Sequence, residues 1–142
     1  ETMFDDLLSG NGKAFSELLG GYLRDLVSVY DTANKESFYH GFVLGMTALF
    51  VSDYIIESNR ESGYGRFDLA IIPKDVSKAG VIMEFKVASR EADMAAKAKE
   101  ALQQIDEREY VTEFRQRGIQ RVWKYGIAFC GKKILAFQGP MC

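Results

Sequence analysis

Residues 79–88 read AGVIMEFKVA, an apolar run of strand length broken by two charges placed two residues apart. Side chains alternate along a strand, so Glu84 and Lys86 share one face while Phe85 takes the other. Charges in such surroundings are costly unless they are paired or used. A second apolar run, residues 66–73 (RFDLAIIP), precedes it, and the polar residues 74–78 between them read as a turn. In a hairpin symmetric about Val76, Asp68 faces Glu84, because 68 and 84 are equidistant from 76. Carboxylates facing each other on adjacent strands have Cβ atoms about 5 Å apart and repel. A divalent cation bound between them would keep both ionised. The bland alternative is a Glu84–Lys86 ion pair at a sheet edge with Asp68 as a turn residue, since E-x-K in a strand is weakly specific by itself.

The rest of the chain sets this pair of strands in an α/β frame. Phe15, Leu18 or Leu19, Tyr22, Leu26 and Val29 recur at helical spacing over residues 15–30. Residues 35–51 form a second helix, apolar almost all round and therefore buried. Gly41 and Gly45, four apart on one face of it, are expected to admit close approach of another element. Residues 54–58 read as a strand and 60–65 as a turn-rich link. Residues 91–117 read as one long helix, with Met94, Ala98, Ala101 and Ile105 on one face and Gly118 at its C-terminus. Residues 122–130 and 134–138 close the chain as strands. The order α-α-β-β-β-α-β-β implies a mixed sheet flanked by helices, and 142 residues fit a single domain, 1–142.

Composition narrows the function classes. No apolar run approaches the ~20 residues of a membrane span, and the N-terminus lacks the order of a signal peptide. Its start at Glu1 leads us to expect a cut or processed fragment. Two cysteines, Cys130 and Cys142, argue against a disulfide scaffold and a zinc site, so a cytoplasmic protein is expected. Net charge is −2, unevenly spread. Residues 1–85 hold 7 Lys/Arg against 13 Asp/Glu, and residues 86–142 hold 11 against 7. A polyanion could be met by the second half while the first supplies carboxylates.

A strand ending in Asp, a turn and a strand with E-x-K resembles the core motif of the PD-(D/E)XK nuclease superfamily. ESFYHG at 36–41, SNRESGYGRFDLAIIPKD at 58–75, MEFKV at 83–87, ALQQI at 101–105 and KYGIAFCGKK at 124–133 together resemble one branch of it. That branch is the domain found at the C-terminal end of prokaryotic AAA-ATPase-like proteins. The resemblance implies a restriction-endonuclease-like α/β core and a metal-dependent nuclease acting on DNA or RNA. It implies Asp68 as the first core acid, with Phe67 replacing the motif's Pro, and Glu84 and Lys86 as the E-x-K pair. Glu36 matches the acid of the preceding helix. Gln104 matches the polar residue after E-x-K, with Gln103 as the adjacent alternative. Mg²⁺ or Mn²⁺ would be held by Asp68, Glu84 and the Phe85 carbonyl, with Glu36 as a further ligand. A non-catalytic nucleic-acid-binding or ATPase-associated module of the same fold is the alternative, and the implied partners are nucleic acid, a second copy of the chain and an ATPase.

Weaker candidates surround these. Arg60, Tyr64 and Arg66 stand just before Asp68, where phosphate contact and plain loop solvation fit equally. His40 shares a helix face with Glu36, a place more often structural than catalytic. Lys97, Lys99, Arg115, Arg117, Arg121 and Lys124 could track a nucleic-acid backbone. Residues 10–13 (GNGK) resemble a phosphate loop only superficially, because Leu7 and Ala14 stand where Gly and Ser/Thr belong.

Overall fold

A computed structural model describes residues 2–26, 36–48, 52–58, 69–107 and 111–140. Strands β1 (Tyr54–Ser58), β2 (Leu69–Pro73), β3 (Gly80–Val87), β4 (Val122–Cys130) and β5 (Lys133–Gln138) form one mixed sheet in the order β1-β2-β3-β4-β5. Only β3 and β4 are parallel, as their helical connection requires. Helices α1 (Thr2–Leu8), α2 (Gly12–Leu26) and α3 (Glu36–Ala48) precede the sheet, and α4 (Met94–Glu107) and α5 (Val111–Gln116) join β3 to β4. This is the restriction-endonuclease-like α/β arrangement expected from the sequence.

Strand alternation divides the core into two layers. Leu69, Ile71, Val81, Met83, Phe85, Tyr125, Ile127 and Phe129 point to one face and pack with Leu7, Phe15, Leu19 and Leu23 of α1 and α2 and Tyr39 and Val43 of α3. The opposite face carries two separate apolar clusters. One gathers Ala70, Ile72, Ile82 and Val122 under Ile105, Phe114 and Ile119; the other gathers Ala88 and Ala128 under Met94 and Ala98.

Several expectations change on contact with the structure. The long helix expected over 91–117 is divided into a 3₁₀ turn (Glu91–Asp93), α4 and α5, residues 108–110 lying outside those described. The division lets Phe114 of α5 turn onto the sheet, where its ring lies 2.4 Å from where a Gly80 Cβ would stand. Helix α1 was not expected, because seven residues are too few to show a helical period. Within residues 10–13, Gly10 and Asn11 join it to α2 and residues 12–13 open that helix: Gly10 has φ 83°, and Asn11 Oδ1 accepts from Ala14 N–H at 3.2 Å as an N-cap. This turn rests on β4, with the Trp123 ring 2.4 Å from where a Gly10 Cβ would sit. Tyr125 donates its hydroxyl to the Leu7 carbonyl at 2.7 Å, and burial raises its phenol above the ordinary tyrosine range. Gly41 and Gly45 do not admit a neighbour: a Cβ at either would meet nothing within 4 Å among the described residues, and both are exposed.

Candidate active site

The described β2–β3 pairs are Leu69↔Met83, Ala70↔Ile82 and Ile71↔Val81. Each is centred on Val76, the register expected from the sequence, and the Asp75–Ser77 turn closes it. There Asp75 Oδ1 accepts from the Ser77 N–H at 3.0 Å and hydroxyl at 2.7 Å, which holds the Asp75 carboxyl below the usual carboxylate range. Asp68, Arg60, Tyr64 and Arg66 lie outside the described residues, as does the side chain of Glu36, whose backbone opens α3.

Glu84 and Lys86 share the face covered by α4, between the two apolar clusters. Glu84 is 6 % exposed and Lys86 is partly buried. The reason for the gap is visible on both elements that frame it. Opposite Glu84 on β4 stands Gly126, and opposite Lys86 stands Ala128. Helix α4 lies so close here that a Cβ on Gly126 would sit 2.3 Å from the Ala98 carbonyl oxygen and 2.6 Å from the Leu102 nitrogen. A carboxylate and an ammonium are thus held in an otherwise apolar seam under small residues.

Backbone direction adds an oxygen. Gly80 N–H donates to the Arg121 carbonyl and Ala88 N–H to the Phe129 carbonyl, each at 2.8 Å. Even-numbered residues of β3 therefore bond to β4, and odd-numbered ones, Phe85 among them, turn their backbone groups toward the β2 side. A buried carboxylate and a strand carbonyl are hard oxygen donors of the kind Mg²⁺ takes. Among the described residues alone, no three acidic, His or Cys side chains gather as metal ligands.

The two glutamines differ in their position on the helix. Gln103 is exposed and Gln104 is partly buried. Leu102 touches the positions of Gly126 and Gly139 and so marks the β5 side of α4. At 100° per residue, Gln104 and Lys97 lie about 140–160° round the helix from Leu102, on the flank toward β3. His40, in contrast, belongs to the other face of the sheet. Its ring centroid lies 6.0 Å from that of Phe85, so the sheet separates it from the E-x-K side chains.

The cations divide by their partners. Lys124 is 4 % exposed and ion-paired with Asp106 of α4, which removes it from any backbone-tracking role. Arg117 bridges Glu113 at 2.9 Å and Glu57 at 3.5 Å, and Arg121 donates to the Ser77 carbonyl. Lys97 reaches Glu100 only at 3.8 Å. The sequence reading missed Gly126 and the Lys124–Asp106 clamp. A glycine inside a strand signals close backbone approach, and a lysine inside an apolar strand signals a partner; both signals stand in KYGIAF. No helix among the described residues is long and apolar enough to cross a membrane.

The family model described as the PD-(D/E)XK nuclease superfamily matches residues 34–138. Among curated proteins, none matches the sequence.

Proposed function

The chain belongs to the PD-(D/E)XK nuclease superfamily, and from that premise we propose a divalent-metal-dependent phosphodiesterase that cuts nucleic acid, centred on Asp68, Glu84 and Lys86. The observation that carries the proposal is the E-x-K pair held on one face of β3, in a hairpin whose register is centred on Val76. Continued by one residue, that register would set Asp68 across from Glu84. The family generally uses divalent metals, and the oxygen donors of this site suit Mg²⁺ or Mn²⁺: Asp68, Glu84 and the Phe85 carbonyl would hold the ion, with Glu36 as an outer acid. When bound, the ion activates water and polarises the scissile phosphate.

The protein's own groups do the rest. Lys86 places a positive charge beside Glu84, where it orients the attacking water and offsets negative charge that develops on the phosphate. Gln104, on the α4 flank facing β3, offers an amide to the same water or phosphate. Arg60, Tyr64 and Arg66, just before Asp68, supply contacts to flanking phosphates. We read residues 1–142 as one domain, because α1 and α2, which precede the matched segment, put Leu7, Phe15, Leu19 and Leu23 into the same core as β3 and β4. The branch assignment, a domain of AAA-ATPase-like proteins in the cytoplasm with an ATPase or second copy as partner, rests on the sequence blocks quoted above.

Incubation with single- and double-stranded DNA and RNA in Mg²⁺, Mn²⁺ or EDTA tests the activity. Cleavage of at least one substrate that EDTA abolishes is expected; no cleavage of any would reject the reading. Calorimetry with Mn²⁺ is expected to reveal a site in the wild type that Glu84→Ala largely removes, and unchanged binding would sink the ligand assignment.

The charge division between the chain's halves also acquires a location. Lys97 stands on the site's flank of α4 with only a long ion pair, whereas Arg117 is held by two glutamates. With Ca²⁺ present and cleavage blocked by Lys86→Ala, adding Lys97→Ala should lower the slope of log affinity against log salt by roughly 0.7–0.9, the loss of one phosphate contact. Arg117→Ala should leave the slope unchanged. Equal slopes in both would remove Lys97 from the substrate path.

A further inference from the structure

A second recess lies away from the E-x-K seam, at the β5 edge of the sheet. It has a volume of about 430 Å³, with α2 on one side, the 3₁₀ turn and start of α4 on the other, and Ile134 and Leu135 of β5 between them. Its walls thus belong to the two helical layers, and the space between is the continuation of the sheet layer itself.

The strand that borders it is unpaired along this side among the described residues, since β5 ends the strand order. Its register with β4 is antiparallel, and Gly139 N–H donates to the Lys124 carbonyl at 2.9 Å, in step with the pair Tyr125↔Gln138. In an antiparallel ladder alternate residues exchange bonds, so Lys133, Leu135 and Phe137 bond to β4. Ile134 and Ala136 then turn their N–H and carbonyl groups outward, the first of them into the recess. Edge groups of this kind are a template for another strand.

The α2 wall is shaped for this. Gly20 and Gly21 stand together inside a helix, where glycine is unfavourable. A Cβ on Gly20 would lie 3.1 Å from Ile134 Cγ2 and 3.5 Å from Arg24 Nη1, and one on Gly21 3.7 Å from Arg24 Nη2. Gly20 therefore lets the edge strand come close at Ile134, and the Arg24 guanidinium lies back along its own helix, in ordinary contact with both glycine positions. Among the described residues that guanidinium has no hydrogen bond or ion pair. Lys133 pairs with Glu91 across the recess, and Lys132 donates to the Arg24 carbonyl at 3.1 Å, tying the β4–β5 turn to α2. Arg24, Lys132 and Lys133 gather at this end of the recess, and of the two glutamates that line it Glu91 is paired with Lys133.

We propose that the β5 edge docks an extended peptide segment of a partner protein, added to the sheet as a strand, with an acidic side chain on Arg24. A nucleic-acid strand fits less well, because Glu17 and Glu91 also line the recess and an edge strand offers backbone pairing that only a polypeptide completes.

The test uses the whole chain, isotope-labelled, and two pools of blocked hexapeptides. The pools are drawn from Thr, Val, Ile and Ser, with Glu fixed at the third position in one and Lys in the other. The Glu pool should shift the amide signals of Ile134 and Ala136 and bind about tenfold tighter than the Lys pool. Arg24→Gln should abolish that preference without moving signals of the Glu84–Lys86 seam. The proposal is overturned if neither pool moves the edge amides, if both bind alike, or if Arg24→Gln keeps the preference. It is equally overturned if the edge amides shift with protein concentration alone, which would make the occupant a second copy, or if an oligonucleotide displaces the Glu pool from Arg24.

Discussion

Replacing Lys86 by Met is expected to slow cleavage by about two to three orders of magnitude while leaving Mn²⁺ affinity intact or slightly tighter. The side chain sits one strand position beyond Glu84 on the same face, partly buried in the seam between two apolar clusters. In the proposed mechanism a positive charge there favours the transition state, in which the phosphate oxygens gain charge, more than the bound ground state. It also repels a cation held by Glu84, hence the direction expected for Mn²⁺. Lys124→Met is the internal control. Lys124 is another lysine in an apolar strand on the same face, but it is committed to Asp106 on the β5 side of α4. Asp106 is more than half exposed, so its loss of a partner leaves a solvated carboxylate and little penalty. Single-turnover cleavage of the two variants, beside Mn²⁺ calorimetry, separates a catalytic charge from a structural one. Equal rates in both variants would remove Lys86 from the chemistry.

How far the sequence foretold this arrangement depends on the kind of signal. The strands were legible because period-two alternation over five to nine residues is a strong local pattern, and the β2–β3 register followed from the symmetry of two runs about Val76. The E-x-K pair was legible because charge in an apolar strand is conspicuous. What escaped was set by contacts between distant segments. Residues 91–117 keep helical composition throughout, and the contact of Phe114 with Gly80, which goes with their division into three elements, joins segments distant in sequence. The Gly41–Gly45 pair looks like a packing groove on a helical wheel, yet that side of α3 is exposed. The helical glycine that does serve packing is Gly20, which meets Ile134 of β5. Which glycine faces a neighbour is a property of the fold, and spacing along one helix does not contain it. For the cations the limit was similar: their count was readable, but the partners that Lys124 finds in Asp106 and Arg117 in Glu57, on other elements, were not.

Gly126 permits the sharpest test of how the seam is built. Gly126→Ala should destabilise the protein by about 3 kcal/mol, the upper part of the range for overpacking a core, lowering the melting temperature by roughly 10 °C for a chain of this size. The added Cβ would meet the backbone of α4, at 2.3 Å from the Ala98 oxygen and 2.6 Å from the Leu102 nitrogen. Neither atom can rotate away as a side-chain tip could. The helix must lift, and lifting it opens the contacts that Met94, Ala98 and Ile105 make with the sheet. On the proposed reading Gln104 acts from this helix, so cleavage by the folded fraction should fall with stability. The same substitution at Gly41 provides the contrast. That glycine lies inside a helix, exposed, with nothing within 4 Å of its Cβ position among the described residues, and Ala there should stabilise the chain by about 0.5–1 kcal/mol through helix propensity alone. Thermal and urea unfolding of the two variants supply the measurement. A Gly126→Ala protein as stable as the wild type would mean that α4 does not lie on β4 at this distance, and the account of the seam beside Glu84 would fall with it.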